Sequence, residues 1–261
     1  MSAVAVNRKS EVLYTILSWS VVPLLIFLTL ILLYQHVMLP IAPGSMEENI
    51  LGSRQIGFQN VLSEVLEHLR LILISTLLAI ATGVPAGILI SRPEFRDFAG
   101  LTLSVANFGQ AVPSIAILAL FMGVFGLGAT TAIFALWLCA LLPIIRNTAT
   151  GLDGVPADII EAATGMGMTR TQILLKIELP LAFPVIFAGV RTATVINVGT
   201  AAMGAFIGAG GLGNFIVTGI ALRRESMVLV GAVITATIAV LGDWLLGKIQ
   251  NHLMASRRRL A

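Results

Sequence analysis

From Phe98 to Ile145 the chain runs for 48 residues without one formal charge. No water-soluble surface can be built from such a stretch, and about 20 apolar residues in a helix already cross the hydrocarbon core of a bilayer. Inside lipid the backbone must satisfy its own hydrogen bonds, which leaves helices or closed barrels. The run is too long for one crossing, and GLGAT at 126–130 offers a turn in its middle, so it reads as two helices.

The rest of the chain repeats the pattern. Residues 71–90 carry no charge, 12–34 form another span, and two more are expected at roughly 181–207 and 226–247. The expectation is an all-α polytopic membrane protein with six transmembrane helices. Of 261 residues, 57% are hydrophobic and only 11% charged, which excludes an ordinary soluble domain. Alternating ten-residue strands and aromatic girdles are missing, so a β-barrel is not expected. The first span is too long for a signal h-region and no clear small-x-small cleavage site follows it, so it reads as retained. Pro113 is expected to kink the third span and free carbonyls towards a cavity.

Charge placement sets the orientation. With the N-terminus in the cytoplasm, eleven Lys and Arg positions fall inside, against four outside (Arg54, Arg70, Arg223, Arg224). That is the asymmetry of cytoplasmic loops. Both termini are then cytoplasmic, and the net charge of +3 reflects orientation and not nucleic-acid binding. A single Cys, Cys139, excludes a disulfide within the chain.

The longest cytoplasmic loop, 146–180, carries more helix formers than a connection needs. Pro156 followed by Asp158 suits a helix start. IIEAAT continues as helix, Gly165 and Gly167 permit a bend, and TRTQILLKIEL resumes helical periodicity until Pro180. Two short helices at an angle on the cytoplasmic face are expected. By shape alone they are either interfacial helices without a partner or a docking element.

The pattern Glu-Ala-Ala, three residues, Gly, nine residues, Ile-x-Leu-Pro is met by Glu161, Ala162, Ala163, Gly167, Ile177, Leu179 and Pro180. It resembles the signature loop of ABC importer permeases. The resemblance covers about residues 60–245 and implies the type I importer permease fold. It also implies that Glu161, Ala162, Ala163, Gly165 and Gly167 couple the chain to a separate cytoplasmic ATPase. Further implied partners are a second ATPase, a second permease subunit (identical or similar), an extracytoplasmic solute-binding protein and the bilayer of a bacterial inner membrane. HLRLILISTLLAIATGVPAGIL (68–89), QAVPSIAILAL (110–120), LPIIRNTATGLDGVP (142–156) and IGAGGLGNFIVTGI (207–220) are similar to permeases for osmoprotectants such as glycine betaine or choline. A permease for methionine or another amino acid, or a stand-alone secondary transporter, are the alternatives. The implied organisation is an N-terminal span and external loop (1–60), a permease core (61–250) holding the coupling loop, and a basic tail (251–261).

The chain has no GxxxxGK[ST], so it carries no phosphate loop of its own. GAGGLG at 208–213 does not open a βαβ unit and is no dinucleotide fingerprint. No cofactor is expected, and no HExxH or CxxC spacing suggests a metal. His36, His68 and His252 fall near membrane boundaries, where interfacial positions are expected.

Polar residues at bilayer depth are costly and mark pathways or helix contacts. Asn107, Gln110 and Ser114 share one helical face, and Thr192, Thr194, Asn197 and Thr200 lie in the fifth span. These either line a translocation pathway or hydrogen-bond helix to helix. Arg191 is charged inside a span, and Asp243 is its expected partner, as a structural ion pair or a gate. At the outer face, Gly210, Gly211 and Gly213 precede a short apolar helix ending at Arg223 and Arg224. That segment is read as an external gate or a contact for the binding protein, or as a capped loop end. With only 3 Trp and 2 Tyr the chain is poor in material for an aromatic cage, so recognition of a quaternary amine is expected to lie mainly in the binding protein.

Overall fold

The computed structural model describes residues 58–258, with side chains over 60–254, and isolated helical positions between Val21 and Leu32. Most of the expected first span and all of 36–57 lie outside the described residues. Among those described, every regular element is helical. They are α1 (Phe58–Ile90), a 3-10 turn (Pro93–Phe98), α2 (Ala99–Ala111), α3 (Ser114–Phe125), α4 (Ala129–Asp153), α5 (Ala157–Gly165), α6 (Arg170–Ile173), a π turn (Leu174–Glu178), α7 (Leu179–Ala201), a 3-10 turn (Ala202–Ile207), α8 (Gly213–Ala221) and α9 (Glu225–Arg258).

Four continuous segments are long and apolar enough to cross a membrane: Asn60–Ile90, Ala129–Asp153, Arg170–Ile207 and Glu225–Met254. The bent pair α2–α3 makes a fifth if it is one span. The expected third span is therefore broken where a kink was expected. Its halves meet at 106°, because proline at 113 disfavours helical backbone in the residue before it. Val112 is extended (φ −85°, ψ 135°), and the Pro113 carbonyl accepts from Ala116 and Ile117 to start α3.

Helix α4 is the hub, packed against α1, α2, α3 and α7. Leu136, Cys139, Ala140, Ile144 and Thr148 on it are buried. Close approach is made possible by glycines in the partner helices. A Cβ on Gly83 would lie 2.9 Å from Ile144 Cγ2, one on Gly87 2.5 Å from Thr148 Cβ, and one on Gly109 2.3 Å from the Leu138 carbonyl oxygen. Gly83 and Gly87, four apart on α1, form the small-xxx-small seam through which membrane helices pack without a hydrophobic drive. Gly83→Ala meets Cγ2 and Cβ of the fully buried, β-branched Ile144, so it is expected to cost about 1–3 kcal/mol by overpacking, read from thermal unfolding in detergent.

Two expected boundaries move. Helix α4 does not stop at Ile145 but continues to Asp153, so the loop is shorter than 146–180. Its last turns are polar in sequence yet packed: Thr148 and Leu152 are buried, and Gly151 lies against the Ala182 carbonyl of α7. Pro180 does not end a helix either; α6, the π turn and α7 run on as one segment. The π turn places the Leu179 N–H on the Leu174 carbonyl, five residues back, and Pro180 then falls in the first turn of α7, where its missing donor is tolerated.

Candidate functional site

The segment after α4 is built from two local signals. Asp158 lies in the first turn of α5, after Pro156 at its N-cap. At the other end Gly167 has φ +79°, a conformation that costs an L side chain but not glycine. Gly167 donates to the Thr164 carbonyl and Met168 to that of Ala163, the paired bonds of a Schellman cap. Thr169 then starts the next helix with a capping box, its side chain accepting from the Gln172 N–H while the Gln172 side chain accepts from its own N–H. T-x-x-Q at 169–172 is visible in the sequence as that signal. Thr169→Ala is expected to cost about 1 kcal/mol, measured as a small drop in Tm.

The segment presents Glu161, Ala162 and Gly165 outward together with Ile159, Met166 and Leu175, while Ala163 is buried. A short helix with exposed alanines and flanking apolar side chains is a surface that a groove can seat. Ion pairs fix its position. Arg92, just before the 3-10 turn, reaches Glu178 with Nη1 on Oε1 at 3.1 Å and Nη2 on Oε2 at 2.6 Å, a bidentate fork. Arg170 pairs with Glu94. Sequence reasoning missed both pairs, since partners 86 and 76 residues apart leave no local pattern.

Arg191 pairs with Asp243 as expected. Nη2 lies 2.7 and 2.9 Å from the two carboxylate oxygens, and Nε 3.1 Å from Oδ1. Gln250 adds an acceptor to Arg191 Nη1 at 3.3 Å and donates to the Pro184 carbonyl at 2.9 Å. Gly247 makes room, since a Cβ there would lie 3.2 Å from the guanidinium carbon. The pair opens on a groove of about 820 Å³ lined by α7 and α9, with Thr192, Trp244 and Lys248 on its walls.

The polar candidates divide. Asn107 and Gln110 are exposed on α2, with Gln110 Nε2 3.4 Å from the Cys139 carbonyl, and Ser114 is half-buried at the start of α3. Thr194 donates to the Val190 carbonyl and is partly exposed, as is Thr200. Asn197 is fully buried and donates to Ser75 Oγ and Thr76 Oγ1, both at 3.1 Å, tying α7 to α1. His68 is a correction. It lies not at an interface but fully buried, with Nε2 3.0 Å from the Val198 carbonyl, near the point where α7 tightens to 3-10 geometry. Carbonyls in a last helical turn need donors from elsewhere, and the buried imidazole is one. His36 lies outside the described residues and His252 is exposed.

Beyond the 3-10 turn that follows α7, Gly210 and Gly211 hold φ +78° and +85°, and the Gly211 N–H donates to Glu67 at 3.3 Å. Asn214 donates to both oxygens of Glu64 at 3.0 and 3.1 Å. Gly213 touches backbone: a Cβ there would lie 1.9 Å from the Ala202 carbonyl oxygen. Helix α8 ends at Ala221, and beyond it Arg223 is exposed with φ 55°, beside the half-buried Arg224. Among the described residues no three His, Cys, Asp or Glu come together as a metal site.

The family model described as "Binding-protein-dependent transport system inner membrane component" matches residues 83–254. The chain is 48% identical over 179 residues to the osmoprotectant import permease protein OsmY of Salmonella typhimurium, covering 69% of this chain and 76% of that relative. It is 44% identical over 200 residues to the glycine betaine/carnitine/choline transport system permease protein OpuCD of Bacillus subtilis, covering 76% and 86%. In fold it is similar to a chain of the MetNI methionine ABC transporter in an inward-facing conformation. The TM-score there is 0.67 and the identity 24%, over 77% of this chain and 98% of that one.

Proposed function

The chain belongs to the family of binding-protein-dependent transport system inner membrane components, and from that premise we propose that it is the membrane subunit of an ATP-driven importer for osmoprotectants such as glycine betaine, choline or carnitine. The observation that carries the cargo is the 48% identity to a permease named for osmoprotectant import. The chain is the translocation subunit and not itself an ATPase; the energy enters from a partner.

The full architecture is a six-span type I permease with both termini cytoplasmic, the sixth span being the N-terminal segment. Two such subunits, identical or similar, enclose the pathway between them. Two cytoplasmic ATPases each receive one coupling segment in a groove, with Glu161, Ala162 and Ala163 on the docking helix and Gly165 and Gly167 at its exit. ATP binding draws the segments together, and the pathway passes from inward-facing to outward-facing. Asn107, Gln110, Ser114, Thr194 and Thr200 supply uncharged polar groups along it, which suits a zwitterion or cation that must not be held tightly. Asn197 reaches that pathway through the helix contact it fixes. Gly210, Gly211 and Gly213 shape the outer turn, and Arg223 and Arg224 offer cationic docking to a binding protein.

Vesicles holding the chain with its ATPase and binding protein test the cargo. Uptake of labelled choline or glycine betaine, with methionine failing to compete, is the expected result. Methionine uptake with no uptake of either quaternary amine would contradict the cargo.

A further inference from the structure

Glu178 sits at a break in the regular helix of the long segment 170–207. It is the last residue of the π turn, a local widening that weakens the regular i→i−4 ladder and often accompanies function. A push delivered to α5 and α6 would be lost by bending there unless something braced the turn. The brace is Arg92. Its side chain is 29% exposed and that of Glu178 7%, and both guanidinium–carboxylate contacts are in register. Arg92 Nε is buried and finds no partner among the described residues, so the pair sits where desolvation is costly. Such a pair adds little net stability over a well-packed apolar one; its geometry is the better reason for keeping it.

A second pair, Arg170 with Glu94, joins the same two segments one helical stretch earlier, but both side chains are exposed and it adds little to the hold. The loop after α1 is thus held to the coupling segment chiefly within the π turn itself, at its last residue, Glu178. Close packing continues the connection upward, since Gly87 of α1 lies against Thr148 and the Ile145 carbonyl of α4.

Resting on the importer reading above, we propose that Arg92 and Glu178 are positioning residues that weld the coupling segment to the cytoplasmic end of α1. Movement of α5 then reaches the outer half of the molecule through α1 and α7 together. The pair touches neither solute nor nucleotide. It determines how much of the ATPase stroke arrives at the pathway.

The test uses the complete reconstituted complex. Glu178→Gln keeps the shape and removes the charge. It is expected to leave ATP hydrolysis within about twofold while the solute moved per ATP falls about tenfold, a coupling loss of ordinary allosteric size. The exchange R92E with E178R is expected to restore part of that ratio. Solute per ATP unchanged in Glu178→Gln, or hydrolysis and transport falling in equal proportion, would overturn the weld.

A distance measurement covers the case in which the variant assembles poorly. Spin labels replace the exposed Leu89 and Leu175 in a Cys139→Ala background, in the permease alone in liposomes. With the labelled chain diluted in unlabelled chain, so that only distances within one chain are read, a narrow distance in the parent and a broad one in Glu178→Gln are expected; equal widths would overturn the proposal. This readout needs no ATPase, so a chain that failed to assemble with any ATPase would strike the importer reading while the label distances still judged the weld.

Discussion

Arg191→Ala is expected to cost the folded chain up to about 3 kcal/mol, the scale of an uncompensated charge at membrane depth. The loss comes from what remains. Asp243 accepts three contacts from one guanidinium, and alanine leaves its carboxylate in the groove with no cation bonded to it in that way. Thermal unfolding in detergent and folded yield from the membrane measure the cost. Arg191→Met with Asp243→Leu removes both charges and is expected to recover most of it, since apolar replacement of a whole pair is often neutral. The double variant also separates two roles of the pair. If it folds and transports, the ion pair is structural; if it folds and does not transport, the pair is a gate.

The second large effect lies at the opposite end. Gly213→Ala would set a methyl 1.9 Å from the Ala202 carbonyl oxygen and 2.7 Å from its carbon. Neither atom can swing aside, because both belong to the backbone of a 3-10 turn. Overpacking usually costs about 1–3 kcal/mol, and a clash with fixed backbone belongs at or above the top of that range. The expected outcome is loss of folded protein or displacement of α8 from the end of α7. Gly123→Ala, where nothing lies within 4 Å, is the matched control and is expected to change stability by well under 1 kcal/mol. Equal stability of the two variants would show that the outer turn yields more easily than its geometry indicates.

These two sites differ in how far the sequence reveals them. The Arg191–Asp243 pair was legible because two opposite charges inside apolar spans have few alternatives. The short helix after α4 was legible because its signals are local: Pro156 and Asp158 open it, and Gly167 closes it. Span ends were less so. RNTATGLD at 146–153 looks like a loop by composition, yet it is helix, with Thr148 and Leu152 buried and Gly151 against α7. Pro180 looks like a stop, and is accommodated by a π turn that no local pattern announces. His68 looks interfacial, and is buried because a carbonyl at the end of α7 needs a donor. The Arg92–Glu178 fork joins residues 86 apart, a contact that only the packing of α1 beside the coupling segment creates.

The central claim is that this chain moves solute only when a separate ATPase drives it. The direct measurement is uptake of a labelled quaternary amine into vesicles holding the purified chain, with and without the ATPase subunit, ATP and the binding protein. Uptake is predicted only when all three are supplied, and it should vanish with a non-hydrolysable nucleotide. Uptake by the chain alone, driven by an ion gradient with no ATPase present, would contradict the account.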